Sequence, residues 1–400
     1  LIRISMYIFL HILSLIGSLG LFLYGMKIMS EGLEKLAGDH MRNILGAMTR
    51  NRFMGVLTGV GVTALIQSSS ATTVMVVSFV NAGLMTLRQA IGVIMGANIG
   101  TTVTAWIISL IGFKVSISAL SLPLLAVALP LFFAGKGKTK NWGEFLFGFA
   151  FLFMGLNLLS KAAESLEIGT HMAAWLSHLP CDRFWTIPLF VLMGTVMTML
   201  MQSSSASMAV TLMLFGMDIP GFGFAQAVAL TLGENIGTTI TAFLASLTAN
   251  IQAKRAALAH LFFNVFGVIV VLAFFYPIIH AVEWLVTDVM GAESNNMYLV
   301  SAFHTCFNLM NTLLQIGFVP QIERFVCWVL PVKTDQDEKS RLRYLSGGLL
   351  STSELNLMQA KKEISLFAER CHRMFGFVNT LLTSENNEQF VGLYSRIDKF

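Results

Sequence analysis

Charged side chains are scarce in this chain of 400 residues: Asp, Glu, Lys and Arg make up only 12% of it, against about 25% in soluble domains. That shortage excludes an ordinary soluble globular enzyme. Cysteines are few and far apart. Cys181, Cys306, Cys327 and Cys371 form no CxxC pair and have no histidine at ligand spacing, which argues against a disulfide framework or a zinc site and leaves them as packing residues. The net charge of +4 is scattered without a Lys/Arg block, and only 6 Tyr and 6 Trp are present, so no nucleic-acid surface is expected. What the chain has in excess is apolar: 55% hydrophobic residues and a mean hydropathy of +0.71.

The charges are also unevenly placed. Residues 1 to 332 hold 29 of them and the last 68 residues hold 19, which reads as a membrane body followed by a water-facing tail. Segments free of charge run 4–26, 53–87, 89–113, 115–135, 145–160, 184–217, 235–253, 256–282 and 294–322. The first is too long for a signal peptide and lacks a small-residue cleavage pattern, so it is expected to be a retained span. A membrane helix needs about 20 apolar residues. Segments 53–87 and 184–217, at 35 and 34 residues, suit neither one span nor two, and each is expected to be a broken or re-entrant helical hairpin.

Both odd segments carry one word, Gln67-Ser68-Ser69-Ser70-Ala71 and Gln202-Ser203-Ser204-Ser205-Ala206. Upstream, Gly25 to Ser30 aligns with Gly155 to Ser160. Downstream, Gly96-Ala97-Asn98-Ile99-Gly100-Thr101-Thr102 aligns with Gly233-Glu234-Asn235-Ile236-Gly237-Thr238-Thr239. Several matching words in matching order indicate an internal repeat. The basic loops, one with Lys136, Lys138 and Lys140 and one with Lys254 and Arg255, are placed inside, and the acidic loop of Glu283, Asp288 and Glu293 outside. The first copy then runs opposite to the second. The expected fold is an all-α polytopic membrane protein of two inverted repeats, each with a broken or re-entrant hairpin: residues 1–140 and 141–330, then a tail over 331–400. Inverted repeats broken at matching positions point to a secondary transporter with its site near the midplane. The stretch 31–50 is expected to lie at the interface as a separate amphipathic helix that binds nothing.

Gln and Ser in an apolar segment are costly unless they face protein or water. Hydroxyls, amide carbonyls and freed backbone carbonyls suit a small cation, and the N–H groups opening the next half-helix suit an oxyanion. A lone run of serines more often bonds back to the preceding turn or holds helices together. Two copies, each paired with an NIGTT word, favour ligand binding.

The doubled QSSS, the doubled G-x-NIGTT and Lys254-Arg255-Ala256-Ala257-Leu258-Ala259-His260-Leu261-Phe262-Phe263-Asn264 together resemble the bacterial branch of the type II sodium-phosphate cotransporter family, over residues 15 to 325. The resemblance implies symport of inorganic phosphate with sodium by alternating access, and no covalent chemistry. It implies phosphate on Gln67, Ser68, Ser69, Ser70, Gln202, Ser203, Ser204 and Ser205. Sodium is expected on Gln67, Ser68, Thr72, Thr73, Asn98, Thr101 and Thr102, and on Gln202, Ser203, Ser207, Glu234, Asn235, Thr238 and Thr239. Glu234 stands where the first copy has Ala97 and reads as a cation ligand, a protonatable group or a residue at a wet lip. Animal type II cotransporters and some bacterial relatives carry an H-D-F-F-N word in the first half; here it is missing, and Leu261 follows His260, which bears on sodium stoichiometry and on whether transport moves net charge. His260 with Asn264 and His304 with Asn308 sit four apart on one helix face each, in reach of the site but expected to serve as interhelical hydrogen bonds. Lys27 is expected to snorkel.

The tail shows helical spacing in Leu355, Met358, Ile364, Phe367, Cys371, Met374, Phe375 and Val378. It resembles the opening of a PhoU-like domain, here truncated. Expected partners are inorganic phosphate, sodium and the lipid bilayer, with a homodimer left open. The expected location is the plasma (inner) membrane, with the tail cytoplasmic. Transport or export of another oxyanion, and a phosphate sensor signalling through the tail, are the alternatives.

Overall fold

A computed structural model describes residues 2–47, 51–111, 117–179, 183–292, 296–331, 353–383, 390–392, 394 and 397. Cys181, Glu293 and the tail residues 333–352 lie outside these, as do the side chains of Leu355 and Met358. The chain is a multi-pass α-helical membrane protein, and among the described residues six helices are long and apolar enough to span a bilayer. Among the described residues no strand occurs and Cys306, Cys327 and Cys371 are free.

Helix α1 (Ile2–Ala47) is followed by α2 (Arg52–Ile66), α3 (Ser69–Asn81), α4 (Leu87–Ile111) and α5 (Ile117–Phe133). The second copy starts with α6 (Lys138–Ser165) and a short α7 (Ile168–Leu176). It continues through α8 (Ile187–Met201), α9 (Ser204–Gly216), α10 (Phe224–Gly237) and α11 (Thr239–Ser246). Then come α12 (Ile251–Ala273), α13 (Phe275–Trp284), α14 (Asn296–Ile316), α15 (Val319–Val329) and, in the tail, α16 (Ser353–Leu382). The two over-long apolar segments are therefore each a pair of half-helices of 15 and 13 residues. Both breaks fall on the QSSS word.

Close glycine contacts give the direction of each packed pair. Gly55 and Gly92 approach each other, Gly96 meets Val56, and Gly100 meets Thr63, so α2 runs parallel to α4. Only residues 82–86 join α3 to α4. The hairpin α2–α3 therefore enters and leaves at one end. The second hairpin repeats this: Gly194 lies against Leu230 and Gly237 against Thr195 and Thr198, while Phe190 meets Phe222 at the mouth, with ring centroids 6.2 Å apart.

The two mouths lie at opposite ends of α12. Asn250, its N-cap, bonds Asn81 at the end of α3, and Phe275, just past its other end, packs on Phe184 beside α8. With 23 residues, α12 is about 35 Å long at 1.5 Å per residue, close to the thickness of a bilayer's apolar core. The first helices of the two copies also oppose each other: Gly25 meets Leu152, Gly32 meets Phe145 and Gly155 meets Phe22, so α1 and α6 are antiparallel.

Two sequence expectations are corrected. Residues 31–47 are not a separate interfacial helix, because no proline or glycine pair interrupts α1 after Met26 and the helix continues unbroken; residues 48–50 are outside the description. Arg255 is not a loop cation. It sits within α12, 5% exposed, and its Nε and Nη2 donate to the Leu330 carbonyl at the end of α15, at 3.0 and 2.8 Å. The same end of the bundle holds Arg52, donating to the Gly317 carbonyl, and Arg88, paired with Glu323 at 2.7 Å.

A Cβ on Gly96 would collide with the Val56 carbonyl, whereas one on Gly61 meets nothing within 4 Å. Gly96→Ala is therefore expected to cost about 1–3 kcal/mol through overpacking, and Gly61→Ala to stay within about 0.5 kcal/mol. Thermal unfolding of the purified protein in detergent checks both; equal melting of the two variants would contradict the parallel packing of α2 on α4.

Candidate functional site

The two breaks have one local geometry. Each first half-helix ends on a glutamine in the left-handed region, Gln67 at φ 58° and Gln202 at φ 52°, and their N–H groups still donate to Thr63 and Thr198 carbonyls. Left-handed backbone is unfavourable for a residue other than glycine, so the surroundings must hold it. At Gln67 they do so visibly: Nε2 donates to the Ala64 carbonyl at 2.6 Å, and Oε1 accepts from Thr104 Oγ1 at 2.9 Å. Gln202 is exposed.

The first serine of each word then caps the second half-helix. Ser68 and Ser203 are extended, and their hydroxyls accept from the N–H of Ala71 and Ala206. This is the ordinary N-cap arrangement. The N–H groups of Ser69 and Ser70, and of Ser204 and Ser205, are the first of their helices and have no acceptor within them. The hydroxyls of Ser69 and Ser204 likewise have no hydrogen-bond partner among the described residues.

Both words line a single cavity of about 300 Å³, so Gln67, Ser68, Ser69 and Ser70 face the same space as Gln202, Ser203, Ser204 and Ser205. Two helix N-termini, each with positive dipole character, meet there from opposite hairpins. The rest of the lining comes from Ala71 and from α1: Leu23, Met26, Lys27, Ser30, Glu31 and Glu34. Lys27 borders the cavity with its side chain 70% exposed, as expected of a snorkelling lysine, and forms a 3.8 Å ion pair with Glu31; Glu31 and Glu34 of the amphipathic stretch border the cavity as well. Ser30 donates to the Ile66 carbonyl at 2.5 Å, satisfying backbone freed by the break. The signal was present, since Ser30 closes the first aligned word.

The remaining predicted residues lie outside the lining. Thr72 donates to the Ser68 carbonyl, Ser207 to that of Ser203, and Thr73 to that of Ser70. Thr63 Oγ1 donates to Thr72 Oγ1 at 3.0 Å. In the NIGTT words, Asn98 and Asn235 donate to the carbonyls of Ile94 and Thr231, four residues back. Thr101, Thr102 and Thr239 bond back similarly, and Thr238 is buried. These bonds use the donors and leave oxygen lone pairs free.

Glu234 is not at a wet lip. It is 1% exposed on α10, Oε1 accepts from Thr211 Oγ1 at 2.6 Å, and Oε2 has no partner among the described residues. Thr211 and Glu234 replace the first copy's Val76 and Ala97, both buried in the apolar core. The histidine pairs also differ from expectation. Asn264 and Asn308 donate to the carbonyls of His260 and His304 on their own helices, because a four-residue spacing puts each amide over that carbonyl; Asn308 alone crosses between helices, reaching Asn235 Oδ1 at 3.3 Å.

With this geometry, comparison with known proteins is specific. A model of the Na+/Pi-cotransporter family matches residues 21–161 and 168–284, and the chain belongs to that family of transporters. The protein YjbB of Escherichia coli K12, provisionally named for inorganic phosphate export, is 28% identical over 383 residues, covering 95% of this chain and 67% of its own length. YqeW of Bacillus subtilis, named as uncharacterized, is 30% identical over 312 residues, 78% of this chain and 96% of its own. The human sodium-dependent phosphate transport protein 2B is 40% identical over 104 residues, 25% of this chain and 15% of that protein. No solved structure matches.

Ser68→Ala and Ser203→Ala are each expected to lose about 1 kcal/mol of stability with the cap, and Ser69→Ala and Ser204→Ala to stay within about 0.5 kcal/mol. Thermal unfolding without ligand separates the two pairs. A large loss from Ser69→Ala would show that its hydroxyl holds the fold rather than facing the cavity.

Proposed function

We propose that this protein moves inorganic phosphate across a membrane together with sodium ions, holding phosphate between the two QSSS words. One observation carries the reading: Gln67 and Gln202 open words 135 residues apart in sequence that line one cavity beneath two helix N-termini. An oxyanion there would accept from the free N–H groups and hydroxyls of Ser69, Ser70, Ser204 and Ser205, the interaction that helix N-termini favour. Ser68 and Ser203 hold the half-helices in place.

Sodium fits the oxygens that face the same breaks or lie behind them. These are Gln67, Ser68, Thr72, Thr73, Asn98, Thr101 and Thr102 on one side, with Gln202, Ser203, Ser207, Glu234, Asn235, Thr238 and Thr239 on the other. A buried carboxyl such as Glu234 needs a cation or a proton beside it. The antiparallel α1 and α6, and hairpin mouths at opposite ends of α12, support a reading of residues 1–140 and 141–330 as inverted repeats around the site. Rocking one against the other would expose it to each side in turn. The basic end of the bundle is taken as cytoplasmic in the plasma membrane. A cytoplasmic tail over 331–400 is supported by α16, whose Lys362 bonds the Gly83 carbonyl at that end. The name of the Escherichia coli relative makes export a specific second reading, and direction is decided by gradients rather than by the site.

The test is radiolabelled phosphate flux in proteoliposomes under inward and outward sodium gradients. Flux that follows the sodium gradient is expected. Ser69→Ala with Ser204→Ala is expected to lower it at least about tenfold, a loss of roughly 1.4 kcal/mol. Phosphate binding without flux under any gradient would replace this reading with that of a sensor. Glu234→Gln, which keeps an oxygen for Thr211, is expected to raise the sodium concentration at half-maximal flux about tenfold; an unchanged value removes Glu234 from the sodium set.

A further inference from the structure

The first span carries charges that its surroundings must explain. Residues Phe9–Leu36 of α1 are long and apolar enough to cross a bilayer, yet they include Lys27, Glu31, Glu34 and Lys35. A charged side chain at membrane depth is costly in lipid and is found facing protein or water. Lys35 has its partner in Glu144 of α6, at 2.5 Å. The other three border the QSSS cavity, and among the described residues they are the only charged ones that do. Lys27 is the one cation in that set.

Their order along α1 gives the cavity a direction. From Leu23 to Glu34, about 16 Å of helix at 1.5 Å per residue, the lining face passes from half-buried Leu23 and buried Met26 to exposed Lys27 and Glu34. The charged end leads on to α2, since only residues 48–51 separate the two helices, so it lies where the first hairpin enters. The second copy has no such wall. Continuing the alignment, the positions of Lys27, Glu31 and Glu34 are taken in α6 by Asn157, Lys161 and Glu164, and no α6 residue lines the cavity.

The Lys27 ammonium is held loosely. Its partner Glu31 stands 3.8 Å away, with the two side chains 70% and 46% exposed, and an ion pair this exposed contributes little. In a cleft with low-dielectric walls a single cation raises the local concentration of an anion. The QSSS words themselves offer N–H groups and hydroxyls but no full positive charge. We infer that Lys27 is a binding residue for the transported anion, which enters along this face of α1 and takes the ammonium from Glu31. Glu31 is then a competitor, holding Lys27 before the anion arrives and repelling the anion as it does. The inference rests on the phosphate reading of the cavity and adds to it a residue outside the repeated words.

The test is equilibrium binding of radiolabelled phosphate to the full chain in nanodiscs of zwitterionic lipid. Sodium is fixed at about 0.1 M and choline chloride raises the salt to about 1 M, which shortens the screening length from roughly 10 to 3 Å. At the lower salt Lys27→Gln is expected to weaken binding about fivefold, Lys27→Arg to restore it and Glu31→Gln to tighten it about threefold; at the higher salt all three are expected within about twofold of the unaltered chain. Binding that Lys27→Gln leaves unchanged at the lower salt overturns the inference. A loss that persists at the higher salt, or that Lys27→Arg does not restore, assigns Lys27 to the packing of α1 and overturns it too. Should Lys27→Gln not fold, Glu31→Gln decides, and unchanged or weaker binding by that variant has the same consequence. An unaltered chain that binds no phosphate at all removes the phosphate reading and this inference together.

Discussion

Everything in this molecule depends on two places where a helix stops inside an apolar layer. Lipid offers no hydrogen bonds, so broken backbone is tolerated at that depth only where protein or enclosed water satisfies it. Each break is met by its own sequence. A glutamine adopts the left-handed turn, a serine caps the next half-helix, and in the first copy Ser30 and Thr104 reach in from neighbouring helices. What is then left unsatisfied is small and specific: a few N–H groups and hydroxyls around one cavity. The same rule that makes the break costly makes the remaining groups available to a ligand.

The breaks need rigid supports, and those are glycine seams. In both copies the first half-helix lies parallel to the helix that carries NIGTT, close enough that glycines on one meet backbone of the other. The support and the site are therefore one construction. The NIGTT asparagines and most of its threonines bond back along their own helices, which satisfies these polar groups where the helices approach closely. The copies are not equal, however. The apolar pair Val76 and Ala97 has become Thr211 and Glu234 in the second copy.

Much of this was legible in the residues. Lengths of 35 and 34 uncharged residues suited neither one span nor two and pointed to a broken or re-entrant hairpin, and the structure breaks both at the QSSS word. Ser30 sat in an aligned word but was not recognised, since nothing in a sequence says that its hydroxyl would meet a carbonyl 36 residues on. The charged rim of the cavity was missed for a related reason: Lys27, Glu31 and Glu34 have the spacing of an ordinary amphipathic face, and only the packing of α1 against the first hairpin brings that exposed face to the cavity's edge. Glu234 was identified as unusual by comparing copies, but its burial depended on Thr211, a residue in no motif. Arg255 shows the limit of counting loop charges, because a guanidinium that caps a distant helix looks the same in sequence as one in water.

The central claim is that two words from separate halves make one anion site, and counting tests it most directly. Equilibrium binding of radiolabelled phosphate to the purified chain in saturating sodium should give one phosphate per chain. Ser69→Ala alone and Ser204→Ala alone should each weaken that same single site, with effects that do not add in the double variant, as expected for side chains sharing one ligand. Two phosphates per chain, or one single variant that removes half of the binding and leaves the other half untouched, would contradict the account.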